Sequence, residues 1–166
     1  MLHARLFNEV PTFREQHFDV HAGLERPGVF AQFAGHDPQT VLMAARRVED
    51  QVDAVDLNFG CPQGIARKGR YGAFLLTEPV LVRRLVTRLV AEVAVPVTAK
   101  MRILPDVEAT VEFAKMLEEA GVAAVAVHGR RREQRHHEGP ADFEAIAAVK
   151  VALRIPVIAN GNVRTR

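Results

Sequence analysis

One cysteine, Cys61, sits in the run Asn58-Phe59-Gly60-Cys61-Pro62, between a glycine and a proline. With Arg67 and Lys68 a few residues on, a thiol in such a turn can act as an acid or a nucleophile, because nearby cations favour the thiolate. A lone cysteine is also often a small buried hydrophobe, and the residues leave both readings open. Lys100 lies inside the apolar run Pro96-Val97-Thr98-Ala99-Lys100-Met101-Arg102-Ile103. Burying an ammonium is expensive unless it meets an anion or lines a cavity; the plain alternative is a stem that snorkels to solvent. Arg102 shares the face of Lys100 by the two-residue period of a strand, so the pair suits an electron-rich ligand. Asn160-Gly161-Asn162 offers backbone N–H groups to a phosphate, or an ordinary turn. The basic segment Gly129–Gly139 reads either as a solvated loop or as a contact for RNA phosphates. His136 and His137 within it have no partners at metal-ligand spacing, so no metal site is expected.

These residues need a frame, and the chain supplies one by repetition. Val29–Phe33, Ala54–Gly60, Val95–Ile103, Val122–Gly129 and Ile155–Gly161 are short apolar runs that read as strands. Longer amphipathic stretches separate them. Asp37 caps a helix that Pro38 begins, Thr77-Glu78-Pro79 opens a second, and Pro105-Asp106 opens a third that Gly121 ends. Phe143–Leu153 forms a fourth. Strands apolar on both faces and alternating with helices imply α/β architecture with a parallel sheet covered by helices. The choice lies between an open doubly wound sheet and a TIM (β/α)8 barrel. No G-x-G-x-x-G follows any strand, which argues against a dinucleotide-binding open sheet. Polar residues instead close every strand in turn: Gln32 and Gly35, Asn58 and Cys61, Lys100 and Arg102, His128 and Arg130, then Asn160 to Asn162. A barrel gathers such residues on one rim.

Composition sets outer bounds. The chain has 166 residues, 48% hydrophobic and 25% charged, ordinary for one globular domain. Net charge is only +2, yet Lys68, Lys100, Lys115 and Lys150 are the only lysines among 22 basic residues. Arginine's planar fork suits phosphate, although a GC-rich genome gives the same bias. A single cysteine excludes an internal disulfide and a cysteine-based metal cluster. No apolar run approaches the ~20 residues of a membrane span. The expected compartment is the cytoplasm or the nucleus.

Together the motifs resemble one family. Asp56-Leu57-Asn58-Phe59-Gly60-Cys61-Pro62-Gln63, Ala99-Lys100-Met101-Arg102, Val127-His128-Gly129-Arg130 and Ile158-Ala159-Asn160-Gly161-Asn162 recur in this order in tRNA-dihydrouridine synthases. Gln63–Ala66 with Gly69–Leu75 resembles the eukaryotic branch acting on positions 16 and 17 of the tRNA D-loop. The resemblance covers essentially residues 1–166, as an FMN-binding domain. It implies a noncovalent FMN, reduced by NADPH or NADH, that delivers hydride to C6 of a flipped-out uracil in tRNA. Cys61 would then protonate C5. Gln32 and Lys100 would bind the flavin ring, His128 would lie beside it, and Asn160, Gly161 and Asn162 would hold its phosphate. Asn58 and Arg102 would hold the uracil.

Measured against the family pattern, the chain is expected to be incomplete at both ends. It starts near the close of the second barrel strand, at Met1-Leu2-His3, and leaves about five to six βα units of a partial barrel with the first and last strands missing. Arg131 stands where the family usually has threonine. On that expectation the chain alone binds FMN weakly. Two alternatives stand beside the synthase: an FMN barrel oxidoreductase of the dihydroorotate dehydrogenase type, and an inactive remnant that binds RNA or a partner through its basic loop.

Overall fold

The β-branched runs form six parallel strands in a computed structural model that describes residues 1–19, 28–134 and 138–163. They are β1 (Leu2–His3), β2 (Phe30–Ala34), β3 (Ala54–Phe59), β4 (Val97–Arg102), β5 (Ala124–His128) and β6 (Val157–Asn160). Their order in the sheet is their order in the chain. The helices are α1 (Ala4–Glu9), α2 (Pro11–His17), α3 (Pro38–Arg46), α4 (Gly64–Lys68), α5 (Pro79–Glu92), α6 (Val107–Glu119) and α7 (Phe143–Ala152), with a 3-10 turn at Gly72–Thr77.

Parallel neighbours joined in sequence order, each by a right-handed crossover, carry all their helices on the same side. The packing agrees: α1 lies on α3, α3 on α5, α5 on α6 and α6 on α7. This is the α/β arrangement of a TIM (β/α)8 barrel, of which the chain presents six strands. Val41, Leu42, Val55, Phe59, Leu85, Leu89, Met101 and Leu117 are fully buried between sheet and helices. Burial of such side chains stabilises the domain by roughly 1.5–3 kcal/mol each.

Several local expectations hold. The Asp37 carboxylate accepts from the Thr40 amide at 2.7 Å, and Asp106 accepts from the Ala109 amide at 2.7 Å, each closing a helix start. The cap expected at Thr77-Glu78 does not form. Pro79 does begin α5, but the Thr77 hydroxyl donates to the Phe74 carbonyl at 3.1 Å, and no side chain caps the helix. The strands also depart from being apolar on both faces. Register pairs Gln32 with Asp56, Asp56 with Thr98, Asn58 with Lys100, Arg102 with His128, and His128 with Asn160. Paired residues of parallel strands share a face, so these polar groups all lie on the side away from the helices. Gln32, Asp56, Asn58 and Thr98 are tolerated there because they hydrogen-bond one another. Among the described residues no helix is long and apolar enough to cross a membrane.

Candidate active site

A chain of hydrogen bonds crosses the polar face of the sheet. At one end the Asn58 Oδ1 accepts from the backbone amides of Gly60 at 3.1 Å and Cys61 at 2.9 Å. The Asn58 Nδ2 donates to Gln32 Oε1 at 2.9 Å, and the Gln32 Nε2 donates to Asp56 Oδ2 at 2.6 Å. At the other end the Thr98 hydroxyl donates to Asp56 Oδ1 at 2.6 Å. Backbone N–H groups can only donate and an ionised carboxylate only accepts. The two ends therefore fix both amides in one orientation. Burial pushes the Asp56 carboxyl up, and the hydrogen bonds from Thr98 and Gln32 pull it back.

The loop carrying Cys61 is held from three further directions. Arg102, 8% exposed, donates from Nε to the Gly60 carbonyl at 2.7 Å and from Nη1 to the Arg131 carbonyl at 2.9 Å. The Ala73 amide donates to the Cys61 carbonyl at 3.0 Å. Gly72 has φ +66°, and a Cβ there would stand 2.6 Å from the Cys61 carbonyl oxygen. Only glycine fits that position. Cys61 itself is half-buried and free. The backbone thus fixes Cys61, whose side chain packs beside the small cluster of Ala34, Ala66 and Tyr71, so both readings of the thiol stay open.

Lys100 is the other group left open. Its Nζ lies near Gly60, 3.8 Å from where a Cβ on that residue would be. Burial, then the neighbouring Arg102, push its ammonium below the usual lysine range, while Asp56 opposes the shift. No hydrogen bond or ion pair satisfies it among the described residues. With Gln32, Asp56, Thr98 and Phe30 it lines a hollow of ≈ 370 Å³. His128, Asn160, Gly161 and Asn162 line a second hollow of ≈ 500 Å³ with Arg130, and that lining contains no carboxylate. Gly161 has φ +102°, and a Cβ there would meet the His128 ring at 2.8 Å. The strand register brings Gln32, Asn58, Lys100, Arg102, His128 and Asn160 to one face, but Asn58, Cys61 and Arg102 line neither hollow.

Some residues do other work than the sequence suggested. Arg130 is 3% exposed. It donates to the Gly139 carbonyl at 2.9 Å and 3.1 Å and to Asn162 Oδ1, so it clamps two loops and offers little to an external phosphate. The Asn162 Oδ1 also accepts from the Ala141 amide at 3.1 Å. Arg132 pairs with Glu133 at 2.9 Å and lies over the Phe74 ring. His136 and His137 fall outside the described residues. Among those described, no three His, Cys, Asp or Glu side chains gather as a metal ion would need. Asp56 and Thr98 were not singled out from the sequence. An acid two residues before Asn58 on the same strand face was the signal for Asp56; Thr98 had none.

Fold and site together define a class: a parallel barrel domain whose polar side chains converge toward the carboxyl ends of its strands. A profile of the dihydrouridine synthase (Dus) family matches residues 2–166, and the chain belongs to that family. It is 44% identical over 166 residues to the tRNA-dihydrouridine(16/17) synthase of Schizosaccharomyces pombe, covering 98% of this chain and 42% of that protein. It is 45% identical to the Saccharomyces cerevisiae protein of the same name, covering 98% and 40%. A rat relative, named as 16/17 synthase-like, is 43% identical, covering 99% and 38%. The chain thus spans about two fifths of the length of these relatives. Their names carry the branch that the Gln63–Leu75 loop suggested. Among solved structures, dihydrodipicolinate synthase from Agrobacterium tumefaciens aligns with TM-score 0.58 at 19% identity, covering 80% of this chain and 44% of that one. Phosphonopyruvate hydrolase aligns with TM-score 0.57 at 16% identity, covering 78% and 46%. At that identity they attest to the fold alone.

Proposed function

We propose that this domain is the catalytic part of an oxidoreductase that reduces the C5–C6 bond of uridine in tRNA, with FMN as bound cofactor and NADPH or NADH as reductant. The observation that carries the reading is the shared face: Gln32, Asn58, Lys100, Arg102, His128 and Asn160 stand on one side of the sheet, with the Cys61 loop tied to it through Asn58.

The residues fit a flavin mononucleotide. Lys100 has an ammonium without an acceptor in a hollow, the right group to stabilise negative charge on a reduced ring. Gln32 has its amide oxygen and one N–H committed, so it offers a second N–H to a ring carbonyl. Gly161 leaves bare backbone beside His128, and the lining of the hollow there holds no carboxylate, which suits a phosphate. When bound, the flavin supplies hydride to C6 of the uracil. Asn58 keeps one N–H, and Arg102 keeps Nη2, to hold the base. Cys61 Sγ–H would give its proton to C5, completing the reduction, and a proton from solvent would restore the thiol. A base inside folded RNA must be extruded to reach this depth.

Cys61→Ala tests the assignment. Loss of a general acid lowers rate by about 10²–10⁴-fold, so dihydrouridine measured by mass spectrometry after incubation with tRNA should fall by at least ~100-fold. Unchanged dihydrouridine formation refutes Cys61 as the donor. Absence of the product from both forms of the full-length protein favours an RNA-binding remnant. Membership of the family sets aside the enzyme acting on free dihydroorotate.

A further inference from the structure

The carboxyl ends of β1 and β2 carry another hollow that the proposed reaction does not use. It measures ≈ 350 Å³, and His3, Arg5, Asp37, Lys68 and Arg70 are among its lining. Arg5 and Lys68 are exposed and have no hydrogen bond or ion pair among the described residues. Arg70 reaches Glu78 at 3.4 Å, but both side chains are exposed, and such a pair holds weakly. The one carboxylate in the lining is committed elsewhere: Asp37 Oδ2 accepts from the Thr40 amide at 2.7 Å and hydroxyl at 2.6 Å. His3 adds a buried Nδ1 with no partner. Burial first, and Arg5 second, hold its imidazole below the usual histidine range. Three cations thus face a hollow whose one acid caps a helix, and an anion that enters would meet a net positive lining.

The position narrows the anion. The Tyr71 ring stands edge-on to the His3 ring at 5.1 Å. Tyr71 also belongs to a small buried cluster against which Cys61 packs. One aromatic side chain therefore links this hollow to that cluster. An anion held here would lie beside the segment that carries Cys61, as a group of the molecule on which Cys61 acts would.

We propose that the hollow binds a backbone phosphate of the RNA substrate next to the extruded nucleotide, with Arg5 and Lys68 as its charge partners. This rests on the synthase reading for the identity of the ligand. The phosphates of the nicotinamide dinucleotide offer the same chemistry, so the test must separate the two.

The measurement is tRNA affinity of the purified protein by fluorescence anisotropy across a range of salt, for the unsubstituted chain and for the double variant Arg5→Ala, Lys68→Ala. Both residues are exposed, and unchanged circular dichroism verifies the fold. The expected result is about a tenfold loss of affinity and a log–log salt slope shallower by roughly 0.7–0.9, one phosphate's worth of released counterion. Lys68→Arg should restore most of the affinity. Dinucleotide affinity, measured in parallel, should not move. An unchanged slope overturns the proposal, and so does a variant that loses dinucleotide but not tRNA binding. No tRNA binding by the unsubstituted chain overturns it as well. Cys61→Ala that binds tRNA normally but still makes dihydrouridine would refute the chemistry and leave the phosphate site standing.

Discussion

The middle of the sheet and its β6 edge solve the same problem in different ways. On β3 every residue is buried, yet Asp56 and Asn58 are polar. They persist because Thr98, Gln32 and two backbone amides satisfy them, in a network with both ends fixed. On β6, Ile158 is 52% exposed, and the polar groups near it act on loops: Asn162 holds Arg130 and Ala141. The thiol side of the site is therefore organised by strand–strand register. The β6 side depends on loop clamps at an open flank. Disturbing the first should spread through the site, and disturbing the second should stay local.

The sharpest break is Gly72→Ala. A methyl group would press on the Cys61 carbonyl at 2.6 Å in a left-handed backbone. That conformation alone costs about 1–2 kcal/mol for a non-glycine residue, so total destabilisation by urea titration should exceed ~2 kcal/mol, and dihydrouridine formation should be lost with it. Asp56→Leu comes next. The Thr98 hydroxyl and the Gln32 Nε2 lose their shared acceptor, which frees Gln32 and then Asn58 to turn away from the Gly60 and Cys61 amides. Leaving one buried group unsatisfied costs about 1–3 kcal/mol. Hydrogen exchange at the Cys61 amide should quicken; if it does not, the network is not what holds the loop. Gly161→Ala should be gentler, about 1 kcal/mol of stability, because His128 and the flank can shift. Its larger effect should be on FMN affinity, with Cys61 amide exchange unchanged.

The smallest effect sharpens the comparison through pH. Burial holds the folded-state value of Lys100 below the usual lysine range. Between that value and the unfolded value of about 10.4, the unfolded chain binds more protons than the folded one. Stability contributed by this group therefore rises with pH through that window. Lys100→Met should flatten the rise and stabilise the protein slightly at neutral pH. Urea midpoints at pH 7 and at alkaline pH provide the check, and a steeper alkaline rise in the variant would contradict it.

Much of this was legible in the residues. Pro38 and Asp37, or Asp106 before α6, are local signals, and local chemistry determined the outcome. The strand-end residues were also legible, since Asn58, Lys100 and His128 each end an apolar run. What period two could not say was which strands stand side by side, and hence that Gln32, Asp56 and Thr98 meet. Register is a long-range property set by packing of the whole sheet. For the same reason Arg130 looked like an RNA contact: a basic run shows charge but not burial. The helices of residues 4–17 went unread because their apolar residues are few and sparsely spaced.

Orientation of the Asn58 amide has a consequence for which bases the site accepts. With its oxygen committed to the Gly60 and Cys61 amides, this side chain can only donate to a pyrimidine, and a guanidinium likewise only donates. Uracil answers with carbonyl oxygens on either side of N3. Cytosine would turn an exocyclic amine toward a donor and leave both unpaired. On the reading proposed above, discrimination between the two would rest on the Gly60 and Cys61 amides, which hold the Asn58 oxygen and leave an N–H to face the base.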